Sequence, residues 1–554
     1  MYLIRGALFS CAACLLLPAC GGSSAPAAAD PRSDPPAGSS THPVTTPAPT
    51  MPAVPTDVVT YKNDRARTGQ NITESVLTPA NVAAASFGLL RVLQVDGKVD
   101  AQPLYLSQLS VGAAAHNVVF VVTEHDSVYA FDSDSGTALW HVSLLGSGES
   151  LSDSRGCYQV TPEIGITSTP VIDRSAGPHG ALYVVAMSKD ASANYHQRLH
   201  ALDVTSGAEL FGGPTEITAS YPTASGSTSF NPGQYAERAA LLLAAGTLYT
   251  SWTSHCDQQP YSGWVIGFDQ STLARTKVLN VAPNSHDTGP AIWMSGGGPA
   301  ADAAGNVYLL TGNGAFETSL DASGFPSGQD YGNSFLKLAG SGTLAVADYF
   351  TMSNEVAESG ADLDLGSGGS MLLPDLTDGG GTVRHLLVGA GKDGNIYVVE
   401  RDSMGRFNAS SNQIWQQLNG AVPAGIWSTP AYFNGFVYYG DAGATLKAFA
   451  LTNARLSATP ASQTATQFGG PGTAAAVSAN GTANGIVWAH ENAGSAVLHA
   501  YDATNLAHEL YNSTQAASGR DSFGSGNKFI TPSIADGKVF VGTTTGVAVF
   551  GLIQ

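Results

Sequence analysis

One hairpin, written many times over, constrains this chain more than any other feature. Val128 to Leu144 reads as two alternating apolar runs around the polar turn Asp132-Ser133-Asp134-Ser135-Gly136. Alternation with a period of two marks half-buried strands, and the Asp/Ser/Gly cluster supplies the tight turn between them. A lone two-stranded hairpin is marginal in water. This one returns. Ala201–Gly207 repeats it with Phe211 in the place of Trp140, and Gly267–Thr272 is a third copy. Looser copies follow at Phe335–Leu338, Tyr397–Asp402 (with Trp415 downstream), Leu446–Phe449, His499–Thr504 and Val547–Phe550.

An upstream element accompanies the copies. Thr169-Pro170-Val171-Ile172, Thr429-Pro430-Ala431-Tyr432 and Thr531-Pro532-Ser533-Ile534 share one pattern, and Gln102-Pro103-Leu104-Tyr105 is a relative. Eight such units recur at intervals of roughly 50 to 70 residues, the range of propeller blades, each supplying about four strands. The eighth runs out at Gln554 after its third strand, while a spare strand, Gly88–Val95, lies ahead of the first. Pairing the two would lock the ring and leave no open edge. The expected fold is therefore all-β. Residues 57–554 form a single eight-bladed propeller of four-stranded antiparallel blades, closed by an N-terminal strand that completes the last blade.

Only 12% of residues are charged and Gly numbers 64, which suits strands and tight turns. The net charge of −19 disfavours nucleic acid and anionic lipid surfaces as partners. At the N-terminus Arg5 precedes an apolar run too short to span a bilayer, ending in Leu17-Pro18-Ala19-Cys20, so residues 1–20 read as a secretory signal. The small residue before Cys20 resembles the lipobox of bacterial lipoproteins. That resemblance implies lipidation at Cys20 and a body anchored in the bacterial cell envelope, facing the periplasm or the cell surface. Residues 21–56, rich in Pro, Ala, Ser and Thr, read as a disordered tether. Membrane contact is then expected only through the lipid. The remaining partners are an envelope protein or a small molecule, with the body a monomer. Of five cysteines, Cys11, Cys14 and Cys20 belong to the signal, and Cys157 and Cys256 are expected to pair in an oxidising envelope.

The Ala-x-Asp-x-x-(Thr/Ser)-Gly-x-x-x-Trp units resemble the tryptophan-docking repeats of the pyrroloquinoline quinone (PQQ) dehydrogenase-like superfamily. In such a repeat a large aromatic buries its area against the next blade while its N–H reaches a backbone acceptor. Val307–Gly314, with Thr311-Gly312-Asn313, is similar to a stretch of the methanol and ethanol quinoprotein dehydrogenases whose Asn binds calcium. The resemblance implies Asn313 as a metal ligand, with Glu163 as a further candidate. Lys392–Tyr397 is similar to the segment whose basic residue contacts the quinone, which puts Lys392 beside PQQ. Trp293, ahead of Gly296-Gly297-Gly298, is the candidate for stacking on it. Asp364 and Asp362 are the candidate catalytic carboxylates. The chain departs from those enzymes in lacking a vicinal cysteine pair, their His-Asp and Trp-Asp steps, and a Cys-x-x-Cys-His haem site.

Gly389–Gly394 fits G-x-G-x-x-G, but a strand pattern follows where a dinucleotide fold needs a helix. Polar side chains at turns that converge on the propeller axis are expected to line one mouth of the channel and bind a ligand there: His125, His196, Arg198, Glu237, Arg238, His255 and Asp257. Two functions follow. One is an envelope lipoprotein that binds a small ligand or protein partner at that mouth, since the fold also serves non-catalytic outer-membrane lipoproteins. The other is a calcium- and PQQ-dependent alcohol or sugar dehydrogenase.

Overall fold

The computed structural model describes residues 57–285 and 289–553; the signal, Cys20 and the tether lie outside the described residues. Blade one consists of Leu104–Val111, Ala114–Val122, Ser127–Asp132 and Ala138–Ser143, paired antiparallel in sequence order. Blades two to seven begin at Val171, Leu242, Ala300, Met371, Ala431 and Ala476. Blade eight contributes Ser533–Ala535, Lys538–Gly542 and Gly546–Leu552, and its fourth strand is Phe87–Gln94 from the other end of the chain. The register runs antiparallel from Phe87 opposite Leu552 to Gln94 opposite Gly546. The ring closes as the spare strand predicts.

Each blade is buried on both faces, and the period of two decides which neighbour each side chain meets. In Ile396–Glu400, Ile396 and Val398 pack with Val437 and Phe449 of blade six. Tyr397 and Val399 turn the other way, onto Tyr308 and Phe335 of blade four. Similar clusters join every neighbouring pair, and one of them spans blades eight, one and two through Val549, Val119 and Leu182.

The docking tryptophans behave as the repeat implies. Trp140 of blade one donates its indole N–H to the Val204 carbonyl of blade two at 3.0 Å, and Trp415 of blade five donates to the Ala454 carbonyl of blade six at 2.5 Å. Gly207, at φ 70°, makes room: a Cβ there would lie 2.9 Å from Trp140 Cε3. Blade two departs from the pattern. Its outer strand is reduced to a Leu202–Glu209 bridge and the two-residue Thr215–Glu216, so Phe211 falls in a turn at φ 55° and does not dock as Trp140 does.

The hub holds a feature that repeat counting passes over. Residues 58–74 run round the inner side of the ring and bond to it one blade after another. Val58 pairs with Tyr105, and the Val59, Arg65, Ala66, Thr68 and Gly69 carbonyls accept from Ile172, Ala301, Leu372, Tyr432 and Val477. The Asn71 amide donates to the Ile534 carbonyl. Arg67, fully buried, donates to the carbonyls of Pro299, Leu241 and Tyr61, and Lys62 donates to those of Pro430 and Ala475. These carbonyls of the ring sit at or just before the inner strands, where no sheet partner reaches them. The segment fills the inner side of the ring as a plug.

Candidate functional site

One mouth of the channel is built from the connections between blades and from the turns between second and third strands. A cavity of about 130 Å³ opens there, lined by Gln159, Arg238, Asp257, Trp293, Asp364, Lys392, Trp427, Lys528 and Phe529, with Ser295 and Ser367. Gln159 lies between blades one and two, Arg238 between two and three, and Trp293 between three and four. Asp364 lies between four and five, Trp427 between five and six, and Lys528 and Phe529 between seven and eight. Six connections far apart in sequence thus reach one space because the ring brings every connection of this type to the same end.

One wall carries an acid–base cluster. The Lys392 ammonium lies 2.5 Å from Asp364 Oδ2 and 2.9 Å from Asp362 Oδ1. The other Asp364 oxygen accepts the Asn313 backbone N–H at 2.7 Å, and the Asn313 side chain donates to Asp362 at 3.0 Å. Burial pushes the Asp364 carboxyl above the usual range, against the pull of Lys392. Trp293 stands edge-on to Tyr261, with ring centres 6.4 Å apart, and the Tyr261 hydroxyl donates to Asp257 at 2.8 Å. Gly312 holds the cluster close. A Cβ there would come within 2.8 Å of both Trp293 Cδ1 and Asp364 Oδ1, so only glycine admits both neighbours.

The other wall is cationic. The Arg238 guanidinium lies 4.8 Å from the centre of the Phe529 ring and donates to Gln159 Oε1 at 3.1 Å. Lys528 Nζ lies 5.6 Å from the same ring. Among the described residues neither cation has an ion-pair partner within 4 Å. Burial first, then repulsion by Arg238 and Lys98, lowers the Lys528 ammonium to about 8. Burial likewise lowers Arg238, partly offset by the more distant Asp100 and Glu124.

A satellite space of about 20 Å³ opens beside Arg238, bounded by Cys157, Glu237 and His255. It is sized for one water. Burial raises Glu237 to about 8 and lowers His255 to about 4. Glu237 Oε1 and His255 Nε2 are the unpartnered atoms such a water would bridge. The Cys157–Cys256 disulfide is formed, with Cα atoms 5.5 Å apart across 99 residues. It ties the Gln159 loop to the Asp257 turn.

The candidates from sequence therefore divide. Asn313, Lys392, Trp293, Asp362 and Asp364 converge on one wall, and Arg238 and Asp257 line the same cavity, with Glu237 and His255 beside it. Four others do not join them. His125 and Glu163 pair with each other at 2.8 Å, so Glu163 is not assembled with Asn313. His196 and Arg198 face outer acidic partners, His196 on Glu216 and Arg198 on Glu149 and Glu216, because the pleat of their strand turns them toward its neighbours. Sequence reasoning missed Gln159, Trp427, Lys528 and Phe529. A signal was present: Thr167, Trp427 and Phe529 each stand two residues before a Thr-Pro step, and all three line mouth spaces.

The donor set does not suit calcium. Both Asp364 oxygens and the nearer Asp362 oxygen already accept bonds from Asn313 and Lys392, and an ammonium holds the position between the carboxylates. Among the described residues the one close group of three His/Cys/Asp/Glu donors is His385, Glu400 and Asp402 on blade five, away from the mouth.

Neither a family model nor a curated protein matches the sequence. Solved structures do. The quinohemoprotein alcohol dehydrogenase from Comamonas testosteroni aligns with a TM-score of 0.59 at 15% identity, over 90% of this chain and 80% of that one. Quinohemoprotein alcohol dehydrogenase ADHIIG from Pseudomonas putida HK5 gives 0.57 at 13% identity, with the same coverage. A europium-containing methanol dehydrogenase gives 0.54 at 14% identity, over 90% and 98%. Likeness at these identities reaches the fold and stops short of the chemistry. The chain is an eight-bladed propeller similar in fold to these dehydrogenases.

Proposed function

We propose that this propeller binds a compact, flat organic anion in the cavity at the mouth of its channel. The observation that carries the reading is the pair Arg238 and Lys528, two cations that flank one phenyl ring, line one cavity and have no ion-pair partner within 4 Å among the described residues. Burying charge without compensation is costly, and two like charges together cost more. A ligand carboxylate offsets both terms, and Trp293, Trp427 and Phe529 supply flat apolar walls. A volume of about 130 Å³ is below the ~300–1,000 Å³ typical of sites that enclose a drug-sized molecule. The ligand is either smaller than that or lies partly across the open mouth.

The test is titration of purified protein with 4-methylbenzoate and, separately, with PQQ, both in EDTA, followed by calorimetry. Saturable binding that weakens at least tenfold in Arg238→Gln supports the reading. No binding of either anion, or binding indifferent to Arg238, overturns it.

A second reading, a PQQ-dependent alcohol dehydrogenase, is favoured by the convergence of Asn313, Asp364, Lys392 and Trp293. PQQ matches the cavity in charge and flatness, and when bound it would supply the acceptor for two electrons. Trp293 would flank the ring system, Lys392 would donate to an oxygen at its edge, and Asp364 would accept the proton of a substrate hydroxyl. Dye reduction by protein loaded with PQQ and a primary alcohol, abolished in Asp364→Asn, is its expected result; binding without dye reduction sinks it.

The lipid anchor at Cys20 and an envelope location belong to the same proposal and rest on the sequence alone. Membrane fractionation checks them: Cys20→Ser is expected to release the protein into the soluble envelope fraction.

A further inference from the structure

We infer that a second cleft, on the outer rim of the propeller at blades three and four, binds the ring of a neutral sugar in its pyranose form. Its lining includes Leu279, from the fourth strand of blade three (Arg275–Asn280), and Val346, from the fourth strand of blade four (Val346–Thr351). It shares no lining residue with the mouth cavity and stands apart from the reading above.

Two departures from the regular blade build the cleft. The turn between second and third strands spans 123–126 in blade one and 391–395 in blade five, but 311–333 in blade four. A connection of that length inside a regular fold is usually functional. Between blades two and three stands a hairpin, Ser220–Thr223 with Gly226–Ser229, that forms a sheet of its own. Asn284 clasps hairpin and loop together. Its side chain accepts the Ala224 N–H at 2.6 Å and donates to the Gly328 carbonyl, and its backbone N–H donates to Asp330 at 2.9 Å. The space so enclosed is about 290 Å³, against about 130 Å³ at the mouth.

Three aromatic and three polar side chains give the cleft its chemistry: Tyr221, Phe325 and Tyr331, with Asp321, Ser327 and Gln329. Tyr349 backs Phe325 and Tyr331, with ring centres 5.6 and 5.5 Å away. Among the described residues no hydrogen bond engages the hydroxyls of Tyr221, Tyr331 and Ser327 or the Gln329 amide. Asp321 spends one oxygen on the Ser323 and Phe325 N–H groups and keeps the other. A pyranose offers a C–H face to an aromatic ring and a rim of hydroxyls that both donate and accept. An anion finds no cation here. No Lys, Arg or His is among the described lining residues, and Arg406, packed on Phe325 at 4.5 Å, is paired with Asp348 at 3.2 Å. A purely apolar ligand would strip water from Asp321, Ser327 and Gln329 without replacing its hydrogen bonds. The volume lies at the small end of the ~300–1,000 Å³ usual for ligand sites and suits one ring.

Saturation-transfer NMR tests this with the methyl glycosides of D-glucose, D-galactose and N-acetyl-D-glucosamine, and with cyclohexylmethanol as an apolar ring of like size. Saturable binding of at least one glycoside, about tenfold tighter than cyclohexylmethanol, is expected. Tyr221→Ala should weaken it about tenfold, while Tyr221→Phe, which keeps the ring, should cost about threefold. Thermal unfolding, and binding of 4-methylbenzoate at the mouth unchanged in Tyr221→Ala, show that the fold is intact. The tetrasaccharide of the bound sugar separates a chain from a free sugar, since only a chain gains contacts beyond the cleft. Binding of none of the three glycosides, binding that Tyr221→Ala leaves unchanged, or cyclohexylmethanol bound as tightly as a glycoside overturns the sugar site, whatever the outcome at the mouth.

Discussion

Lys528 gives the anion site its own pH signature. Its free-state ammonium titrates near 8, below the ordinary lysine value of 10.5, because burial and the neighbouring Arg238 penalise the charge. An anion favours the charged form, so affinity should be full below pH 8 and decline as pH rises through it. We expect 4-methylbenzoate to bind roughly three- to tenfold more weakly at pH 9 than at pH 7. Lys528→Met should bind weakly at both values without that decline. Glu237 titrates in the same range, and the variant tells the two apart: a decline that survives Lys528→Met belongs to Glu237. For stability the sign is opposite to that for affinity. A lysine lowered in the folded state binds fewer protons than in the unfolded chain between pH 8 and 10.5, so its contribution to stability rises with pH across that window.

At the scale of elements, the repeat was readable and the mouth was not. Strand alternation, the Asp/Gly turns and the Trp140 dock are local, and each copy confirms the others. Closure was also readable, because Gly88–Val95 is a strand with no partner of its own near it. The cavity wall is different. Gln159 stands in a connection with no period, and although Trp427 and Lys528 stand just ahead of the recurring Thr-Pro steps, their meeting depends on where the ring places those connections. Asn313 and Lys392 were found by resemblance and Asp364 as a replacement for a carboxylate without a residue-for-residue match, whereas Glu163, His196 and Arg198 face partners of their own, His125, Glu216 and Glu149, that no pattern reveals.

Two variants test the element-level account. Gly207→Ala forces a Cβ against Trp140 at a positive φ and is expected to cost about 1–3 kcal/mol. Trp140→Phe keeps most of the packing but leaves the Val204 carbonyl unpaired, costing about 1 kcal/mol. Denaturant unfolding reads both. Replacing Cys157 and Cys256 by serine is expected to cost about 2–5 kcal/mol, since the bridge closes a loop of 99 residues. The same variant should weaken binding of the probe anions, because Gln159 and Asp257 flank the bridge.

For the whole molecule, the contrast lies between exterior and axis. The chain carries −19, yet Lys62, Arg67, Arg238, Lys392 and Lys528 gather at the hub and its mouth. Lys62 and Arg67 hold the plug by donating to carbonyls of the inner ring, and Arg67→Met would orphan several at once. Its expected cost is roughly 2–3 kcal/mol, seen as a lower midpoint of unfolding with the cavity intact. With the plug on the inner side of the ring, the proposed anion would enter and leave through the mouth that Arg238 and Lys528 line. Net negative charge slows an approaching anion at low salt, and the local field holds it once inside. The central claim, an anion seated between Arg238 and Lys528, is tested most directly by soaking crystals in 4-bromobenzoate and locating bromine by its anomalous scattering. A single peak inside the cavity, with the carboxylate in hydrogen-bond reach of Arg238 and Lys528, is the expected result. A cavity free of bromine, or a carboxylate turned away from both cations, contradicts it.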